Sequence, residues 1–276
     1  GNSVVPLVFL AVSSVINVAL DIWFVVGLGL GIKGAALATV IAQAVSGMGI
    51  SVYSFFKLPF LKFGQGKIKW NKHRMRKIII NNFATAAQQS VMNFGILMIQ
   101  GLVNSFGTVV MASFAAAVKI DTIAYMPAQE FGNAYSLFVS QNYGAKEFGR
   151  IKKGTKLSVV FSVLFCAVIS VLVFVFADNL MLLFIDASEM QIIAAGAEYL
   201  RIEGALYIGI GILFLWYGYF RGINKPIISL VLTVVSLGTR VILSYTLAPN
   251  TDFGVTAIWW SIPIGWLLAD AAGYIF

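Results

Sequence analysis

The sequence predicts an all-α, polytopic membrane helix bundle of about eight transmembrane helices. Three observations carry that expectation. Of 276 residues, 59% are hydrophobic and 11% charged, whereas a globular domain carries about a quarter charged residues. Runs of about 20 mostly apolar residues, the length that crosses a bilayer, fill most of the chain. The basic residues collect in a few short loops between those runs, as lysine and arginine do in membrane proteins.

The spans follow in order. The first is expected from Val4 to Val26 and the second from Gly34 to Phe56, with a basic loop from Lys57 to Lys77 after them. The third runs from Ile78 to Phe106 and the fourth, unusually long, from Val109 to Tyr143. The fifth covers Leu157 to Ile185, the sixth Ile192 to Phe220, the seventh Pro226 to Leu247, and the eighth Gly254 to the end. Trp70 to Ile78 reads either as an interfacial helix start, its bases meeting anionic headgroups, or as a solvated linker. No initiator Met opens the chain, and its last residues, through Tyr274 and Phe276, break off in an apolar run without a polar tail, so the chain is expected to be a fragment of a longer protein.

Loop charge sets the expected orientation. The loops after spans two, four and six hold Lys62, Lys67, Lys69 and Arg74, then Lys146, Arg150 and Lys153, then Arg221 and Lys225. The intervening loops hold Asp178, Asp186, Glu189 and Asp252, with only Lys33 and Arg201 as basic residues. This places the chain start and the basic loops in the cytoplasm and the protein in the cell inner membrane. The net charge of +8 is therefore accounted for by topology, and no nucleic-acid partner is expected. One histidine, His73, and one cysteine, Cys166, leave no metal cluster or His-based catalytic group. The chain is not expected to be an enzyme, and no cofactor is implied.

Charges inside spans need a reason, since each costs about 2.5–3.5 kcal/mol at mid-bilayer. Lys119, Asp121 and Glu130 lie in span four, Arg240 in span seven and Asp270 in span eight. Glu203 and Asp21 fall near outer ends, where a solvated position explains both. Lys119 and Asp121, two residues apart on a helix, cannot share a face. Pro127 removes a helical hydrogen bond between Asp121 and Glu130 and is a candidate hinge. Together these residues either wall a transport cavity or tie the bundle through ion pairs. The amides Gln89 and Asn93 in span three, with Asn17 and Gln43 in spans one and two, offer the same choice between a wet pathway and helix–helix bonds. Trp216, Tyr217, Tyr219, Trp259 and Trp260 read as interfacial belt anchors. Spans one–two and seven–eight also share a Pro-to-Gly spacing, Pro6 to Gly34 and Pro226 to Gly254, the pattern of a parallel repeat.

Three segments carry a resemblance. They are Ser14-Val15-Ile16-Asn17-Val18-Ala19-Leu20-Asp21 with Gly34-Ala35-Ala36-Leu37-Ala38-Thr39 and Gln43; Ala112-Ser113-Phe114-Ala115-Ala116 through Lys119-Ile120-Asp121 and Met126-Pro127 to Gln141-Asn142-Tyr143-Gly144-Ala145; and Gly218-Tyr219-Phe220-Arg221-Gly222 with Lys225-Pro226. In this order they resemble the multidrug and toxic compound extrusion (MATE) family over nearly the whole chain. The resemblance implies helices five to twelve of a two-lobe, twelve-helix transporter: residues 1–56 as the last two helices of the first lobe, 57–77 as a cytoplasmic basic linker, and 78–276 as a second six-helix lobe whose last helix is cut short. It implies export of drugs and other small amphipathic compounds in exchange for Na⁺ or H⁺, by a protein that works as a monomer when full length. The alternative within the superfamily is a lipid-linked oligosaccharide flippase, whose cavity is expected to be more basic. At the positions where some members carry coupling carboxylates, this chain has Met92 and Ile210. The coupling carboxylate is therefore expected in helices that this sequence does not include.

Overall fold

A computed structural model describes residues 4–57 and 71–276. The core of the basic linker, with Lys62, Lys67, Lys69 and Trp70, lies outside the described residues. The described chain divides into two units, Gly1–Trp70 and Asn71–Phe276.

The first unit is a helical hairpin. Helix α1 (Val4–Asp21) continues as one π-helical stretch, Ile22–Gly27, and α2 runs from Gly31 to Lys57. Gly31 starts α2 with a φ of 53°, a left-handed conformation that suits glycine. Small residues hold the hairpin together: Ser13 Oγ donates to the carbonyl of Ala42 at 2.9 Å, beside the buried Ala38. Asn17 Nδ2 donates to Thr39 Oγ1 at 3.4 Å, so it makes a helix–helix bond. Gln43 is exposed.

The second unit holds α3 (Lys72–Asn104), α4 (Thr108–Gly144), α5 (Phe148–Val175), the short α6 (Ala177–Met181), α7 (Met190–Gly204), α8 (Tyr207–Gly222), α9 (Pro226–Leu247) and α10 (Gly254–Ile275). Asn71 caps α3 by accepting the Arg74 amide at 3.1 Å, which satisfies one free N–H of the first turn. Both α4 and α8 end in the same way. Lys146 and Asn224 adopt φ near 61°, and Glu147 N and Lys225 N reach back to the carbonyls of Asn142 and Phe220 at 2.9 and 2.8 Å, a Schellman stop. Pro226 then opens α9 at its first position, where its missing N–H costs nothing.

Helix α4 is the hub of this unit, packed against α5, α7 and α8, while α9 pairs with α10 and with α3. Packing turns small and polar side chains inward and large apolar ones outward. On α5, Ser162, Cys166 and Ser170 are buried, whereas Phe161, Leu164, Val168 and Val171 are each about 60% exposed. A water-soluble bundle would reverse this order. In lipid, association rests on close packing of small residues, and the outer face is solvated by acyl chains.

Among the described residues, six helices are long and apolar enough to cross a membrane, and α7 with α8 forms a seventh such unit bent by 54°. Helix α3 spans 33 residues, but Gln88, Gln89, Asn93 and Gln100 along it, with its basic first turn, keep it below that apolarity. The chain is an all-helical, multi-pass membrane protein.

Three sequence expectations are corrected here. Span five does not run on to Ile185: the helix starts at Phe148, ends at Val175, and α6 follows as a separate turn. Span six is not one helix but two, broken at Ala205 and Leu206. Tyr217 and Trp259 are not belt anchors: they are 6% and 1% exposed, and Trp259 stacks on Phe114 with ring centroids 5.5 Å apart. Trp260, at 48% exposure, does face outward. In the turn before α7, the amide and hydroxyl of Ser188 both donate to Asp186 Oδ1 and hold that carboxyl below the ordinary carboxylate range.

Candidate functional site

A cavity of about 130 Å³, mostly apolar but holding several charged and polar side chains, opens inside the second unit, among α3, α4, α7, α8, α9 and α10. Helix periodicity builds each wall. On α4, Phe114, Val118, Asp121 and Tyr125 recur at steps of four, three and four and so share a stripe. On α7, Tyr199 and Glu203 are one turn apart. On α9, Thr233, Ser236, Leu237 and Arg240 form a second stripe. All ten line the cavity.

Asp121 is 4% exposed. It survives burial because tyrosines from both sides of the α7–α8 break meet it: Tyr207 Oη donates to Oδ1 at 2.5 Å and Tyr199 Oη donates to Oδ2 at a long 3.5 Å. The bend at Ala205 and Leu206 is what lets both hydroxyls reach one carboxyl. Glu203 is 2% exposed, and its Oε2 has no hydrogen-bond partner; neither has Arg240 Nε. A buried ionisable group left without a partner is unusual and marks a place where a ligand, ion or water is expected. With all three groups ionised, Asp121 and Glu203 against Arg240 leave one excess negative charge in a low-dielectric site.

The volume narrows what the site can hold. A drug-sized molecule needs roughly 300–1,000 Å³, whereas each water takes about 30 Å³ of liquid volume. The cavity therefore suits a small ion with a few waters and excludes an amphipathic drug. Among the described residues, no cluster of three or more His, Cys, Asp or Glu side chains could hold a metal ion.

The sequence-selected residues separate. Asp121 and Arg240 both line the cavity, without forming an ion pair. Lys119, two residues along, is exposed, as are Gln89, Asn93, Pro127 and Glu130. Glu130 accepts from Asn133 Nδ2 at 3.3 Å, and Arg221 Nη2 donates to Asn133 Oδ1 at 3.0 Å, a polar chain linking α4 and α8 outside the cavity lining. The amide that does turn inward on α3 is Gln88, which donates to Thr233 Oγ1 at 3.0 Å. Helix α4 runs through Pro127 without interruption.

Glu203 corrects the sequence reading most. Its place near a span end argued for solvation, yet it is among the most deeply buried acids. Tyr199 and Tyr207 were also missed, although Tyr199-Glu203 at one-turn spacing beside Gly204 was a usable signal. Met92 and Ile210 line the same cavity as Asp121 and Glu203.

Comparison with known proteins agrees with this architecture. A profile of the MatE family matches residues 84–246. The chain is 27% identical over 279 residues to the probable multidrug resistance protein YpnP of Bacillus subtilis, covering 100% of this chain and 61% of that protein. It is 25% identical to the probable multidrug resistance protein NorM of Thermotoga maritima, covering 94% of this chain and 56% of that one. Among solved structures, an aspartate-to-asparagine variant of the Vibrio cholerae MATE transporter VcmN superposes over 100% of this chain and 62% of its own, with a TM-score of 0.88 at 21% identity. The chain thus spans about six-tenths of the length of these relatives. Its helical architecture and the profile match over more than half its length place it in one family, and the chain belongs to the MatE, or multidrug and toxic compound extrusion, family.

Proposed function

We propose that this chain is part of a secondary efflux transporter that exchanges Na⁺ or H⁺ for drugs and other amphipathic compounds, and that the cation acts within the second unit, at Asp121 and Glu203. The carrying observation is the pair of buried carboxyls facing Arg240 in a cavity too small for a drug. One excess negative charge there is neutralised by one monovalent cation. Met92 and Ile210, which cannot bind a cation, line the same space, and this reading places the acidic function on their neighbours rather than in the helices outside this sequence, where it was expected. The relatives named as multidrug resistance proteins support the substrate class.

On this reading, residues 1–56 close the first lobe, 57–77 link the lobes and 78–276 form the second lobe of a full-length monomer in the cell inner membrane. Pro127 leaves the carbonyl one turn before it without its helical partner, which makes α4 the place to bend between facing states. A flippase of lipid-linked oligosaccharides is disfavoured, because the cavity's one cationic wall residue, Arg240, already faces two carboxyls.

The test is direct. In everted vesicles carrying the full-length protein, adding a substrate is expected to dissipate a preset H⁺ or Na⁺ gradient. Dissipation of neither gradient, with the substrate still exported, overturns cation coupling. The orientation has its own check. A cysteine at Gln65→Cys, in a Cys166→Ser background, is expected to react with an impermeant thiol reagent only after cells are permeabilised. Ready labelling of intact cells would invert the topology.

A further inference from the structure

We propose that a second cavity in this unit, lined by the opposite face of α8 from the first, binds an anionic phospholipid. The cavity encloses about 850 Å³ among α4, α5, α8 and α10, large enough for a headgroup and the upper part of its acyl chains. Its floor is apolar and firm: Ile151 and Leu215 are 6% and 5% exposed, and Tyr135 and Thr155 share a hydroxyl hydrogen bond at 2.6 Å.

The polar groups around this trough are of one kind. Lys152 and Lys156, one turn apart on α5, and Lys225, between α8 and α9, line the cavity and are exposed. No Asp or Glu side chain lines it. None of the three lysines takes part in an ion pair among the described residues, where the one ion pair joins Arg201 to Asp178. The aromatic wall is fixed in place. Trp216 lines the same cavity, and its Nε1 is buried without an acceptor. The ring cannot easily turn away: Phe220 stacks on it at 5.7 Å, Tyr274 packs edge-on at 5.4 Å, and a Cβ added at Gly273 would lie 3.0 Å from its Cδ1.

Three ammonium groups around an apolar, aromatic-walled trough call for a ligand with an anionic head on an apolar body. In a bilayer, that description fits a phospholipid with a net negative headgroup. A zwitterionic lipid would bring its own cation to the lysines. A hydrophobic cation of the kind expected as export cargo would be repelled by them. Aromatic side chains at the level of the headgroups complete the match. This inference is independent of the coupling reading, because the two cavities share no lining residue.

Native mass spectrometry of the purified full-length protein tests it, with phosphatidylglycerol and phosphatidylcholine of identical acyl chains. Phosphatidylglycerol is expected to be retained in preference by roughly tenfold or more, since each lysine beside an anionic headgroup strengthens association about fivefold. The Lys152→Gln, Lys156→Gln, Lys225→Gln triple variant is expected to lose that preference while keeping its melting midpoint in phosphatidylcholine. Should the triple variant not fold, Lys156→Gln alone is expected to lower retention about fivefold by removing one ammonium group. Excess inorganic phosphate is expected not to displace the lipid. Equal retention of the two lipids, unchanged retention in both variants, or displacement by phosphate or by a cationic substrate would overturn the assignment.

Discussion

Glu203→Gln, made in the full-length protein at matched expression, is expected to leave membrane insertion intact and to lower cation-driven efflux by about tenfold or more, one such factor corresponding to about 1.4 kcal/mol. The amide keeps the shape of the side chain but fixes its charge at zero, so the cavity can no longer alternate between one excess negative charge and neutrality. Asp121→Asn is expected to act in the same direction. Its amide oxygen can still accept the Tyr207 hydroxyl, so the local packing survives, while Arg240 keeps only one acidic neighbour. Arg240→Ala should also fail, for the opposite reason: two carboxyls buried together without a cation cannot both stay ionised. A purely structural ion-pair cluster would lose thermal stability and activity in parallel, because removing one partner of a buried pair leaves the other uncompensated. The measurement that separates the two roles is cation release on substrate addition, followed in detergent solution for the parent and the two amide variants. If Glu203→Gln and Asp121→Asn release the cation as the parent does, the cavity is packing and the coupling site lies elsewhere.

A smaller effect is expected at Pro127. Pro127→Ala restores a helical hydrogen bond to α4 and is expected to favour one facing state, lowering resistance while raising the melting midpoint. Unchanged resistance with a raised midpoint would remove Pro127 from the moving parts and leave it as a local helix defect.

What could be read from the sequence depended on whether apolarity alone specified it. Helix α9 lies where Pro226 and Leu247 placed it, because a proline start and a change in hydropathy mark both ends. Helix α4, at Thr108–Gly144, differs from expectation by one residue at each end. The break between α7 and α8 was hidden because Gly204, Ala205 and Leu206 are as apolar as the segments they separate; only packing shows that the chain turns there. That turn creates the site, since without it Tyr199 and Tyr207 could not both reach Asp121. Periodicity told that Lys119 and Asp121 face apart, but not which of them faces in. Asp121 does, where it accepts from the Tyr207 and Tyr199 hydroxyls. Glu203 was misjudged for a related reason: distance along the chain from a span end is a poor measure of depth when the helix is bent.

Gly218→Leu is expected to abolish a folded second unit, the largest structural effect of any single substitution considered. Helices α4 and α8 meet backbone to backbone. A Cβ placed on Gly218 would lie 2.4 Å from the carbonyl oxygen of Gly132, and one placed on Gly132 would lie 2.8 Å from that of Phe214. Neither obstacle is a side chain that can swing aside, so the helices themselves must separate. Separation would carry Tyr207 and the α7–α8 bend away from Asp121, and in lipid no hydrophobic force opposes it, since association there rests on close contact. Alanine should be tolerated only in part, at about 1–3 kcal/mol, the usual cost of overpacking a close interface. Gly132→Ala and Gly218→Ala together should cost less than the sum of the two alone, because once the helices part for one methyl there is room for the other. Gly238→Ala supplies the control, having nothing within 4 Å of its added Cβ. It should leave stability unchanged or slightly improved, as alanine favours a helix interior by about 1 kcal/mol over glycine. Size-exclusion profiles and melting midpoints of the full-length variants decide the matter. A monodisperse Gly218→Leu protein with the parent's midpoint would mean that α4 and α8 do not approach at these glycines.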